Sequence, residues 1–236
     1  MMPGTEFIEH AGFVAEVIRT RRRKTASIKI DDGSVSVVVP QDLSQESIQQ
    51  LISNKKKWIR EKLYLQSQSR PVNSKEFVSG EAFSYLGRNY RLKVVAGSYQ
   101  PAKLHHGQLV VTIPEAMQTP NSIRNAVVRW YRLHALDRLI EKTDRYAAVV
   151  GKAPSKVDIK TYRSRWGSCH ADGRVLYNWK IIMAPNRIVD YVVVHELCHL
   201  VHHNHSPQFW KAVERVMPDY AECREWLKVN GAGLEV

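Results

Sequence analysis

Tyr191-Val192-Val193-Val194-His195-Glu196-Leu197-Cys198-His199 is the stretch on which the reading of this chain turns. Its apolar first half predicts a buried helix. Pro185-Asn186 opens that helix, and Ile188, Val189, Val192, Val193, Leu197 and Leu200 supply its apolar positions. Residues four apart on a helix share one face, with Cβ atoms ~5–6 Å apart. The imidazoles of His195 and His199 can then reach a single cation at ~2.0–2.1 Å, the usual zinc–nitrogen distance. Glu196 is rotated by ~100° from His195. That keeps it out of the ligand shell but close to a water that the ion activates, where a carboxylate can take a proton and later return it. The bland alternative is a pair of histidines that only hydrogen-bond in a core; histidines buried at this spacing need partners either way.

A catalytic zinc needs a third protein ligand and one open position. Working outward, Asn204 tolerates the left-handed conformation that ends helices, and Ser206-Pro207 restarts one with a cap followed by proline. His205 is presented at this break, where a ligand turned back toward the first helix is expected. His202 and His203 are read as continuing that helix, unable to close on the same ion. Glu214 and Glu222, on the helix that follows, remain rival third ligands. Cys198, inside the motif, is expected to pack as a small buried hydrophobe.

Upstream, strands are predicted near 156–162 and 174–183, with Arg163-Ser164-Arg165-Trp166-Gly167-Ser168-Cys169 between them. Arg165 and Trp166 are expected to border the cleft; the competing reading is a structural Arg–carboxylate pair with a packed indole. Asn178 contacts either substrate or its neighbours. Further back, Thr119-Pro120 opens a helix that runs to about Val150 and ends at Gly151. Strands are read over Ser27–Ile30 and Val35–Val39 around an Asp-Gly turn, over Phe83–Leu86 and Tyr90–Val95 around Gly87-Arg88-Asn89, and over Leu109–Ile113. His105-His106-Gly107 reads as a turn, Ser44 caps a helix through Gln66, and residues 67–76 look like a linker. No internal repeat is evident.

The 236 residues are 44% hydrophobic and 25% charged, an ordinary globular composition. Net charge is +12, from 12 basic and 8 acidic groups over 1–70, 11 and 6 over 71–150, and 12 and 9 over 151–236. The excess is therefore diffuse and not a basic tail. It suits solubility or the attraction of anionic partners. Arg19, Arg21, Arg22, Arg23 and Lys24 read either as a phosphate contact or as the solvated start of a strand. Three cysteines without C-x-x-C spacing signal neither a disulfide framework nor a cysteine zinc site. Glu6, Glu9 and Glu16 interrupt any secretory or membrane-spanning run near the start, so a cytoplasmic protein with no membrane partner is expected.

His195 to Leu200, Asn204-His205-Ser206 and Phe209-Trp210, together with Arg165 to Cys169 and Tyr191 to Val194, resemble the YgjP-like metallopeptidase family, related to the SprT-like and WLM-type zincins. The resemblance covers most of the chain and is tightest over 160–216. It implies a compact zincin domain binding one zinc ion through His195, His199 and His205, with Glu196 as general base and a peptide or protein as substrate. It also implies that 174–183 is the strand beside the active-site helix on which an extended substrate pairs. The histidine spacing is that of metzincins too, but His202 stands where they carry glycine and no Met-turn is evident. The expected fold is α+β: a β-rich region with one helix over 1–118, then a zincin-like domain over 119–236 with its active-site helix beside a small sheet. The expected function is a zinc-dependent metallopeptidase. The alternatives are a metal-dependent hydrolase of nucleotide phosphoanhydrides, suggested by the charge, and a nucleic-acid-associated protease, by analogy with SprT-like relatives.

Overall fold

The computed structural model describes residues 6–10, 12–21, 25–31, 34–68 and 75–236. Four strands followed by a helix occur twice before residue 151. In the first copy, β1 (Glu6–His10), β2 (Phe13–Thr20), β3 (Ser27–Asp31) and β4 (Ser34–Pro40) lead into α1 (Gln45–Gln68). In the second, β5 (Ala82–Tyr85), β6 (Arg88–Ala96), β7 (Gln100–His105) and β8 (Gln108–Ile113) lead into α2 (Pro120–Val150). The sheets are ordered β1-β2-β4-β3 and β5-β6-β8-β7. In each, the two inner strands are parallel and each outer strand is antiparallel to its neighbour. The plan is thus duplicated although no repeat is evident in the residues.

The local chemistry explains why each copy folds this way. β4 buries Val35, Val37 and Val39, and β8 buries Leu109, Val111 and Ile113, the alternation of a half-buried strand. A proline closes each run, since it has no N–H for the ladder. Each helix then starts on a hydroxyl: Ser44 Oγ accepts from Ser47 N at 3.3 Å, and Thr119 Oγ1 from Ser122 N at 3.2 Å. The β7–β8 turn, His106-Gly107, has positive φ at both central residues (47° and 74°), the geometry that matches strand twist. The β5–β6 turn is Leu86-Gly87 (49° and 80°), one residue earlier than expected, because Arg88 and Asn89 already pair with Tyr85 and Ser84. A Cβ at Gly87 would also come within 2.9 Å of Pro185 Cα. β1, β2 and β7 are strands beyond those expected from the sequence.

The chain divides into Met1–Arg70 and Pro71–Val236, not at 118/119. The physical reason is the second sheet: Phe83, Leu92, Leu109 and Val111 share one apolar core with Ile123, Trp130 and Leu139 of α2 and with Val193, Val194 and Leu197. The first sheet and α1 have a separate core of Ile8, Phe13, Ala15, Val17, Val35, Val37, Val39, Ile48, Ile52 and Ile59. The basic run falls partly in the first unit's described residues. Arg19 donates to Glu6, Gln41 O and Leu43 O, and Arg21 to Gln41, so both tie strand to loop. Arg22, Arg23 and Lys24 lie outside the described residues, as do Asp32-Gly33 and most of the expected linker.

In the second unit a small sheet follows α2, with order β10-β11-β9: β9 (Lys156–Lys160), β10 (Gly167–Cys169) and β11 (Arg174–Asn178). The strand expected over 174–183 stops at Asn178. Trp179, Ile181, Ile182 and Met183 are all buried, which strand alternation forbids, and they form a 3-10 turn. Three helices complete the unit: α3 (Asn186–Cys198), α4 (Pro207–Val216) and α5 (Tyr220–Asn230). α2 and α3 are joined by a buried ion pair, Lys142 Nζ to Asp190 Oδ1 at 2.6 Å, to which Arg145 adds a contact of 3.0 Å. The fold is α+β, β-rich first and helical after. Among the described residues, no helix is long and apolar enough to cross a membrane.

Candidate metal centre

α3 buries Val192, Val193, Val194, Leu197 and Cys198, so it is anchored on both sides of the residues it presents. Each such aliphatic side chain is worth ~1.5–3 kcal/mol on burial. The helix stops sooner than expected, at Cys198, with His199 as its cap. His202 and His203 therefore lie in the turn that follows, not on continuing helix. Asn204 is not among the positive-φ residues; the chain turns instead through bonds from Leu200, Val201 and His202 N–H back to Leu197 and Cys198 carbonyls. Ser206 then caps α4 by accepting from Phe209 N at 3.3 Å.

This break brings His205 back to the helix. Nε2 of His205 lies 3.1 Å from Nε2 of His195. One ligand atom from each of His195, His199 and His205 can be chosen so that all lie within 4.8 Å of one another. Tetrahedral zinc at ~2.0–2.1 Å from each nitrogen separates its ligands by roughly 3.3 Å, so the donor set fits such an ion. Among the described residues no other His, Cys, Asp or Glu joins the group, and Glu214 and Glu222 stay exposed outside it. Nδ1 of His199 donates to His202 O at 3.1 Å, a bond that puts the hydrogen on Nδ1 and leaves the Nε2 lone pair free for a cation. That supporting role of His202 was not legible in the sequence.

The rings are held by packing. Phe209, fully buried, stacks on His199 (4.5 Å between centroids) and lies edge-on to His195 and His205. Trp210 stacks on His205 and Tyr220 on Trp210, while Arg224 lies 4.9 Å from the Trp210 ring centre. Nδ1 of His195 is buried with no hydrogen-bond partner, and its ring is placed by the Phe209, Tyr191 and Trp210 rings and by the two neighbouring imidazoles. Desolvation, with the neighbouring imidazoles adding to it, lowers the His195 pKa to about 3; burial also lowers His199 and His205. The rings are thus neutral at physiological pH, with lone pairs to offer a cation.

Glu196 is 6% exposed, and burial pushes its pKa up to about 8, with Arg165 opposing the shift. Its carboxylate lies directly on the backbone of β10: a Cβ added at Gly167 would fall 2.6 Å from Glu196 Oε1. Arg165 is exposed, 5.6 Å from the Tyr162 ring centre, and its charge reaches Glu196. Trp166 is half-buried and rests against Gly231. Asn178 is 3% exposed, and its amide donates to Tyr162 O and Arg165 O while its oxygen accepts from Lys180 N. Its two amide hydrogens are spent on the 162–165 loop and its oxygen accepts from Lys180 N, so Asn178 contacts its neighbours in a scaffolding role. Nor can β11 take a substrate strand, since β9 and β10 already pair on its two sides. Cys198 is buried and its thiol is pushed up to about 11, in keeping with a packed, inert side chain.

Three imidazoles thus converge in a group that could hold a metal ion, and a buried acid follows His195 on α3. A family model, the YgjP-like metallopeptidase domain, matches residues 24–230. The chain belongs to the YgjP-like metallopeptidase family. Among solved structures, the metallopeptidase zymogen abylysin of Pyrococcus abyssi is similar at 21% identity, over 39% of this chain and 94% of that one, with a TM-score of 0.35. No curated protein matches.

Proposed function

We propose that this metallopeptidase is zinc-dependent, with the ion held by His195, His199 and His205 and protons carried by Glu196. The reading rests on one observation: three neutral imidazoles converge beside an acid buried one position along the same helix. A zinc ion in such a set supplies a Lewis acid that polarises a carbonyl and acidifies water. The chain's own groups do the rest. His202 O orients His199, and Phe209 wedges the three rings in place. Burial holds a proton on the Glu196 carboxyl, whereas a nearby cation and Arg165 favour the ionised form. Those opposed influences suit a group that must both accept and donate a proton near neutral pH. An extended peptide is expected to add to the free edge of β10, the outer strand next to Glu196.

The phosphoanhydride reading rests on the basic charge, +12 and diffuse, and the nucleic-acid reading on analogy with SprT-like relatives. Arg19 and Arg21 are occupied within their own unit. Glu196→Gln is expected to keep the metal but lose ~10²–10⁴-fold in turnover on a peptide library. His205→Ala is expected to lose the metal, read by native mass spectrometry at stoichiometric zinc. A fully active Glu196→Gln variant, or nucleoside triphosphates turned over in preference to peptides, would sink the reading.

A further inference from the structure

Glu196 lies against a residue with no side chain at all, Gly167. Gly167 has no positive φ, so its backbone conformation is open to any amino acid; space alone restricts the position. A Cβ there would lie 2.6 Å from Glu196 Cγ, 2.6 Å from Oε1 and 2.7 Å from Cδ. Separations under 3 Å are ones that real Cβ atoms do not tolerate. The collision involves the carboxylate end as well as the stem.

Neither partner's backbone is free to yield. On one side, Gly167 pairs with Tyr177, Trp166 O accepts from Asn178 N at 2.8 Å, and the Ser168 hydroxyl is 2.7 Å from that of Tyr162. The Trp166 indole is backed by Gly231, where an added Cβ would meet the ring at 3.0 Å. On the other side, the α3 backbone is fixed by Val193, Val194 and Leu197, all fully buried. Only the Glu196 side-chain torsions remain to relieve the overlap, and turning them moves the carboxylate.

We propose that Gly167 is a positioning residue: the missing side chain at this point of β10 creates the seat that sets where the Glu196 carboxylate stands. The inference rests on the proton-carrier reading of Glu196 and adds the device that aims it. A misplacement of ~1 Å at a reacting group costs about 100-fold in rate. Gly167→Ala is therefore expected to lower kcat about 100-fold, with KM and zinc affinity each within about threefold of wild type, because the triad is untouched. Gly233→Ala, where an added Cβ meets nothing within 4 Å, is the control for the glycine-to-alanine change itself.

The crystal structure of Gly167→Ala should show β10 and the three histidines in place and the Glu196 side chain turned away. A kcat within twofold of wild type, or a carboxylate that has not moved, overturns the proposal. Should Gly167→Ala fail to fold, the Gly167→Ala/Glu196→Ala double variant must fold, since the atoms struck are gone; a double variant as unstable as the single one also overturns it. A wild type that hydrolyses no peptide refutes the peptidase reading instead, while the carboxylate position still decides this one.

Discussion

The two four-strand-plus-helix copies share a backbone plan and differ in what their helices must cover. α1 buries Ile48, Ile52 and Ile59 along one stripe and exposes Lys55, Lys57 and Trp58, so the first unit is finished once its sheet is capped. α2 is longer, 31 residues against 24, and buries Ile123, Val127, Trp130, Tyr131, Ala135, Leu139, Lys142, Thr143 and Ala147. It has a sheet to cover and α3 to support as well. The lesson concerns polarity too. Among the described residues, the buried charged side chains Lys142, Asp190 and Glu196 all belong to the second unit, and the first unit's core is apolar. The first unit's core is closed with apolar groups, whereas the unit that holds the candidate metal centre has taken on buried charge.

Breaking that buried charge is expected to have the largest effect on stability. Asp190→Ala leaves the Lys142 ammonium without its carboxylate partner in the core and should cost about 3–5 kcal/mol in urea unfolding of the second unit. A cost below about 1 kcal/mol would mean that α3 is held by packing alone and would weaken the contrast between the units.

A pH signature is the second distinction, read on metal-free protein. Glu196 is raised on folding from 4.5 to about 8, so the stability it confers is fully present below about pH 4.5 and lost as pH rises to about 8. His195 is lowered from 6.5 to about 3, so its contribution is present above about pH 6.5 and lost as pH falls toward 3. Between pH 5 and 8 the wild type should lose stability relative to Glu196→Gln, by up to ~1.4 kcal/mol per pH unit. Parallel melting curves for the two proteins across that range would refute the assignment, and added zinc should reduce the difference by favouring the carboxylate.

The smallest effect tests the likeness of the copies. Ser44→Ala and Thr119→Ala remove the same kind of cap from α1 and α2, and each should cost ~1 kcal/mol, seen as faster amide exchange in the first turn of its own helix. Unequal costs, one cap near zero and the other near 2 kcal/mol, would show that the repeated plan does not carry a repeated energetic role.

How much of this could be read beforehand follows from range. The spacing of His195 and His199 is a local helical period, Thr119-Pro120 and Gly151 are local end signals, and all four stand where the pattern puts them. His205 is accessible because Ser206-Pro207 marks a restart, although the helix before it ends at Cys198, eight positions ahead of Ser206, not just short of it. The seat under Glu196 was not accessible: Gly167 is distant in sequence, and no period links a glycine in a strand to an acid on a later helix. The Lys142–Asp190 pair is hidden for the same reason. The duplicated topology escaped because strand order depends on pairing, and Val-rich runs such as 35–39 and 109–113 look alike in any sheet. The unit boundary departs from the expected 118/119 because the change of secondary structure at Thr119 is not a change of core.

Asn178 carries a further consequence. The one amide ends β11, caps the 179–183 turn and clamps the chain at Tyr162 and Arg165, and the Ile182 carbonyl of that turn receives the Leu86 N–H of the β5–β6 hairpin. The rim beside Glu196 and the edge of the second sheet are thereby braced through a single side chain, as a frame with no hinge in it. Any give that a bulky ligand requires is therefore expected from the short span between α3 and α4 that carries His205.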